Sequence, residues 1–184
     1  MWILLLAACS GDSGKTPSGA YTSETYAPPW ASHLMFRQVD PEDLGVIDTA
    51  DTLSRITHIG ITGTDPDLTL TFSEGEDYAT SEAFMTWTVS TADGIALTGV
   101  DGETFSPPVT LLASAFQEDE AVTSGGYRTT PTRVELLTTW YGDFEEALRI
   151  RVDGDTIGDI YLAKGVGIVQ FTWGDVAGDL AWYE

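Results

Sequence analysis

Two histidines, one cysteine and 29 carboxylates are the groups in this 184-residue chain from which acid–base chemistry, metal ligation or thiol chemistry could be built. Each of those needs several such groups to converge on one point. His33 reads as a loop residue near Trp30, and His58 lies inside the apolar run 56–61. Neither belongs to a His or Cys cluster at metal-ligand spacing, so a zinc or copper site is not expected. Asp153, Asp155, Gly158 and Asp159 have part of the spacing of a calcium loop, but Ile157 fills a ligand position and Lys164 stands where a bidentate glutamate is needed. Adventitious Ca²⁺ binding there, or at Asp65 and Asp67, is all that the spacing supports. Any two of 29 acids can be paired on paper, and no spacing singles out a glycosidase dyad. The acidic runs 74–77 and 118–120 therefore read as solvated loops. No Gly-x-Ser-x-Gly elbow is present. The expectation is a protein with no catalytic residues, no cofactor and no resident metal.

Aromatic residues offer a different use. Trp87, Trp140, Trp173 and Trp182 are the candidates for lining a concave apolar cleft, should the fold leave one open. The commoner role of such residues is core.

Two short motifs near the N-terminus lack the context they need. Gly11-Asp12-Ser13-Gly14 resembles the nucleophile segment of chymotrypsin-like proteases, but there a large preceding barrel supplies the His, the Asp and the oxyanion pocket. Gly14-Lys15-Thr16 resembles the end of a phosphate-binding loop, yet Cys9 stands where the first glycine of that loop belongs.

Cys9 has its own chemistry. It closes the apolar run 2–8, which is far too short to span a bilayer and has the length of a signal-peptide core. Leu6-Ala7-Ala8-Cys9 resembles a bacterial lipobox, and the resemblance implies that the Cys9 thiol is acylated and the preceding residues removed. Residues 1–8 then form a targeting segment. Only the α-amino group of Met1 supplies positive charge before the apolar run, so the expectation is a start upstream of Met1. One acyl chain holds a protein only reversibly, whereas two or three on one Cys anchor it stably, at about 0.8 kcal/mol per buried CH₂. Ser10 follows where an Asp would favour inner-membrane retention, which leans towards the outer membrane. Residues 9–32, rich in Ser, Gly, Thr and Pro, have the composition of a flexible tether.

Residues 33–184 suffice for one domain with a sizeable core. Eight basic and 29 acidic residues give a net charge of −21, which disfavours nucleic acid and anionic lipid as partners. Such a surface also suits high salt, where screening removes much of the self-repulsion. A single cysteine excludes an intrachain disulfide framework.

The elements that would position any site read as strands. Leu68, Leu70 and Phe72 alternate with threonines; Met85, Trp87 and Val89 alternate with polar residues; so do Leu148, Ile150 and Val152. The runs 134–141 and 167–173 are apolar on both faces and predict central strands covered on each side. Asp93-Gly94, Asp101-Gly102 and Asp153-Gly154 predict hairpin turns, and a turn at 174–178 folds a last strand, 180–183, back on 167–173. Helical signals are confined to 48–55 and to 144–148 after an Asp143 cap. The fold class expected is all-β or nearly so: a single curved antiparallel sheet or half-barrel of hairpins.

The C-terminal quarter adds a family likeness. Gly142-Asp143-Phe144-Glu145, the strand 148–152, the segment Tyr161-Leu162-Ala163-Lys164-Gly165-Val166-Gly167-Ile168-Val169 and the strand 180–183 resemble the pattern of the TapB-like family of small bacterial envelope proteins. The resemblance implies a curved antiparallel sheet, similar to the half-barrels of lipoprotein carriers, and no catalytic activity. Gly165 and Gly167 have a simpler account as the residues that let a tight turn pass into a strand. Together these expectations describe a non-enzymatic envelope protein, held to the membrane through a lipidated Cys9 and acting as a binding or structural module, with an apolar ligand or an envelope protein as partner. The alternatives are a carrier of an apolar or acyl ligand in the concave face and, last, a hydrolase.

Overall fold

Asp101 and Gly102 both take the left-handed conformation, with φ of 50° and 79°, and so close the tight hairpin that an Asp-Gly pair predicts. This hairpin belongs to a computed structural model that describes residues 21–26, 33–40, 44, 56–64 and 67–183. The chain begins with β1 (Tyr21–Thr22) and a 3-10 turn (Ser23–Tyr26). There follow β2 (His33–Val39), β3 (Ile56–Thr64), β4 (Asp67–Glu74), a 3-10 turn (Tyr78–Thr80), β5 (Glu82–Ser90), β6 (Gly94–Val100) and β7 (Glu103–Leu112). The second half comprises β8 (Ala115–Phe116), β9 (Val122–Ser124), β10 (Tyr127–Thr138), β11 (Asp143–Asp153), β12 (Gly158–Ala163), β13 (Gly167–Trp173) and β14 (Val176–Tyr183).

The strands form two meanders joined by their ends. Each strand from β2 to β7 pairs antiparallel with the next, each from β9 to β14 does the same, and β14 returns to pair with β2. The outcome is one twelve-stranded antiparallel sheet, nearly closed and barrel-shaped. Closure removes most of the exposed strand edge that an open sheet would present. The remaining opening lies between β7 and β9, which meet there without sharing a ladder. Side chains bridge that seam: Ser124 Oγ accepts from Thr110 N at 2.6 Å, and Thr129 Oγ1 donates to the Thr110 carbonyl at 3.0 Å. The segment leading from β7 to β9 also lies along β10, where Asp119 N donates to the Pro131 carbonyl at 2.7 Å.

Alternation along the strands decides what fills the barrel. Leu34 and Phe36 of β2, Ile59 of β3, Phe72 of β4, Trp87 of β5 and Phe171 of β13 are all buried and belong to one core cluster. Phe72 lies 4.6 Å from Trp87 and 6.0 Å from Phe171 between ring centroids, the second pair edge-on, and Phe36 is 5.5 Å from Phe171. Rings from strands as far apart in the sheet as β4 and β13 therefore meet across the interior, and the concave face is occupied by its own side chains. The N-terminal piece adds to this core. Tyr26 and Phe116 pack together, and Ser23 N donates to the Ser114 carbonyl at 3.1 Å, so residues 21–26 of the expected tether are part of the folded unit.

Several local expectations hold and others need correction. The three Asp-Gly turns, the turn after Trp173 and the wholly covered strand β13 stand where the sequence places them. Gly165 and Gly167, with φ of 70° and 91°, turn β12 into β13 as expected. The segment 144–148 is not helical but part of β11; Glu146 sits at a φ of 52°, which a continuing helix cannot contain, and its neighbours are held in the β10–β11 ladder. The run 134–141 is not a doubly covered strand. β9 opposes only Tyr127, Arg128 and Thr129 of β10, and Leu136 is 57% exposed. The expected helical segment 48–55 lies outside the described residues.

Candidate functional site

Pleating puts alternate residues of β2 and β3 on the face away from the core. Leu34 and Phe36 point inward, so His33, Met35 and Arg37 point outward; Ile59 points inward, so His58 and Gly60 point outward. Register then brings the two histidines together, because Met35 pairs with His58 and Gly60 with His33. His33 Nε2 lies 2.9 Å from His58 Nδ1, and His58 Nε2 lies 3.2 Å from the carbonyl oxygen of Gly75. His33 is the first residue of β2, not a loop residue as its surroundings in sequence imply. The aromatic ring of Tyr78 covers the pair, 4.6 Å from the His33 centroid and 5.8 Å from that of His58. Gly60 is what allows this, since a Cβ there would collide with the Tyr78 hydroxyl. Asp77 holds the 3-10 turn carrying Tyr78, its Oδ1 accepting from Ala79 N at 3.1 Å.

A second polar group spans β11 and β12. Arg149 donates to both carboxylate oxygens of Asp159, at 2.8 and 3.0 Å, while Arg151 donates to Asp159 Oδ2 at 3.1 Å and to Asp153 Oδ1 at 3.1 Å. The hydrogen bond to Asp159 raises the Arg149 pKa above its ordinary value, so this cation stays charged. Burial, and then the Asp159 charge, push the neighbouring Tyr161 phenol up as well. Asp153 and Asp159 are two of the carboxylates of the calcium-loop spacing, and both are committed to arginines. Among the described residues no three His, Cys, Asp or Glu side chains come together as a metal site.

The row continues across the sheet. Gln170 Nε2 lies 3.4 Å from Asp179 Oδ1, and Arg37 Nη2 lies 3.5 Å from Asp179 Oδ2, with all three residues buried. Arg37 Cζ lies 4.5 Å from the centroid of Trp140, which stands in the turn between β10 and β11. Three strands, β12, β13 and β14, separate β11 from β2, a distance of about 19 Å at the usual spacing. The β10–β11 hairpin tip therefore lies across the outer face of those strands as a strap. Leu137 and Thr139 are buried in the same tip, while Leu136 and Tyr141 face outward.

Trp87, Trp140 and Trp173 do not share a cleft. Trp87 is 1% exposed in the core, Trp173 packs against Tyr127 there, and Trp140 is the half-buried residue of the strap. Trp182 is placed by its backbone, opposite Met35 in the β14–β2 ladder. A shallow hollow of about 250 Å³ on β5–β7, lined by residues that include Phe84, Val100 and Glu103, contains none of Trp87, Trp140 and Trp173. Cys9 lies outside the described residues. The histidine pair is the grouping that sequence reasoning missed; its signal was the alternation on β2 and β3 combined with antiparallel pairing. No protein-family model, no curated protein and no solved structure matches this chain.

Proposed function

We infer that the chain is a non-enzymatic, lipid-anchored envelope protein whose barrel acts as a binding or structural module. Cys9 carries the acyl groups, the residues between it and Tyr21 form the tether, and the outer membrane is the favoured location. The observation that carries the choice among roles is the filled barrel: Phe36, Phe72, Trp87 and Phe171 close the concave face. An acyl-chain carrier needs that space open, typically several hundred cubic ångströms of it. Contacts with an envelope partner then fall to the outer surface. The likeness to TapB-like proteins belongs to this proposal as a statement about fold.

Intact mass and N-terminal fragmentation of the protein taken from its host's membrane fraction test it. An acylated Cys9 as the first residue supports the anchor. An unmodified soluble chain that retains residues 2–8 overturns it.

A further inference from the structure

We propose that His33 and His58 form a proton-operated latch on the β4–β5 loop, closed while the pair shares one N–H between its rings and opened when both imidazoles are protonated. This does not depend on the lipid anchor.

The hydrogen positions follow from the acceptor at the end of the chain. A carbonyl oxygen only accepts, so His58 Nε2, 3.2 Å from the Gly75 oxygen, carries a proton. A neutral His58 then has a bare Nδ1, and the proton between the rings belongs to His33 Nε2. Ring geometry agrees. The ring centroids are 5.1 Å apart and the nitrogens 2.9 Å apart, leaving about 1.1 Å at each end, which is the distance from an imidazole nitrogen to its ring centre. Both nitrogens thus lie on the line joining the centres, and the planes are only 16° apart. The rings meet edge to edge in a straight N–H···N bond. Nitrogens aimed at each other this closely leave no room for a metal between them.

One extra proton is compatible with this arrangement, because a His33 imidazolium still donates to His58. A second is not. It would place two N–H groups head to head and a charge on His58, which is 3% exposed. Relief comes by moving His58 out, which breaks its bond to Gly75 and frees the loop 75–81 with Tyr78. The charged groups on the packed elements act in both senses. Glu76 and Asp77, in the loop that carries Tyr78, favour the doubly charged pair, whereas Arg37 on the same face of β2 opposes it; Glu74 and Glu82 pair with each other and, through Thr57, fall on the other face. Among the described residues, Tyr78 is the titratable group whose ring lies over the pair. The open state binds one more proton than the singly protonated closed pair and two more than the neutral one, so acid opens the latch, by about tenfold in equilibrium constant per pH unit where the closed pair already carries one extra proton.

Long-range ¹H–¹⁵N NMR of the imidazoles, with amide exchange of residues 75–81, tests this on the full chain. Above neutrality His58 should show the Nε2–H tautomer. Protection of the loop amides, corrected for intrinsic exchange, should fall by about tenfold per pH unit through the imidazole range. In His33→Phe, which keeps an aromatic ring under Tyr78 but offers no N–H, that extra pH dependence should shrink below about twofold. An Nδ1–H tautomer at His58 overturns the latch. So does unchanged pH dependence in His33→Phe, or stoichiometric Zn²⁺ binding that shifts both imidazoles.

Discussion

Truncating Phe72 to alanine is the sharpest test of a barrel filled by its own side chains. Phe72 is fully buried and touches rings from two other strands, Trp87 of β5 and Phe171 of β13. Phe84 approaches from a third position, 6.3 Å away and edge-on. Removing a ring held on so many sides leaves a cavity that rigid neighbours cannot fill, and such substitutions cost about 3–5 kcal/mol. Against a total stability of about 5–15 kcal/mol, that is a large share. With a slope of about 4 kcal/mol per M in guanidinium chloride, the midpoint should fall by about 1 M at unchanged slope. Tryptophan fluorescence reports the transition directly, because the Trp87 ring lies 4.6 Å from the deleted ring, tilted against it. The new void should also admit a small apolar molecule such as benzene, with a matching recovery of stability. A midpoint shift below about 0.3 M would refute the filled interior, since it would mean that Phe72 borders space already open.

Two further substitutions probe the outer surface. Trp140→Ala removes the ring over Arg37 and lifts the strap, so stability should fall by about 1–2 kcal/mol and the amides of β13 and β14 should exchange faster, with Trp140→Phe recovering much of both. An Ala variant with wild-type exchange would mean that the strap covers nothing. The Glu146 carboxyl is held below its ordinary 4.5, first by the hydrogen bond from Lys164 and then by the charges of Lys164 and Arg133. Its contribution is present above the ordinary value and disappears as pH falls through the lowered one. The gap in melting temperature between wild type and Glu146→Gln should therefore be small, present at pH 7 and lost as pH falls below the lowered value; a gap that widens in acid would contradict the sign.

Local order was easier to read from this chain than assembly. Period-two alternation located β4, β5 and the second half of β11, and the Asp-Gly pairs located hairpins, because both signals act within a few residues. Even there the mechanism differs by site: Gly154 is needed for the close approach of the Tyr127 ring, while Gly102 supplies positive φ. The apolar run 134–141 misled because its outward residues belong to a strap, and a strap is defined by what it crosses. Residues 144–148 misled because a capping Asp and a short apolar pair say nothing about the twelve-residue partner strand beside them. Near-closure of the sheet and the meeting of His33 with His58 both depend on pairing between distant segments, which composition and spacing do not encode. Cys9 remains legible only in the sequence.

The pairing of β14 with β2 sets a timetable for the chain. The Arg37–Asp179 contact joins residues 142 positions apart, so the barrel cannot complete until nearly the whole polypeptide has been delivered. Until then the first meander, β2 to β7, stands with both flanks bare and Phe36, Phe72 and Trp87 without their partners from the second. A chain delivered end-first, by synthesis or by the export that the proposed location requires, would therefore wait in an unfinished state, with 72 consecutive positions, 56–127, free of lysine and arginine. Mutual repulsion among the acids in that stretch keeps waiting chains apart. The acidic first half thus acts as a built-in delay guard, and a chain ending before Val176 should stay unfolded yet soluble at low salt and precipitate as salt rises.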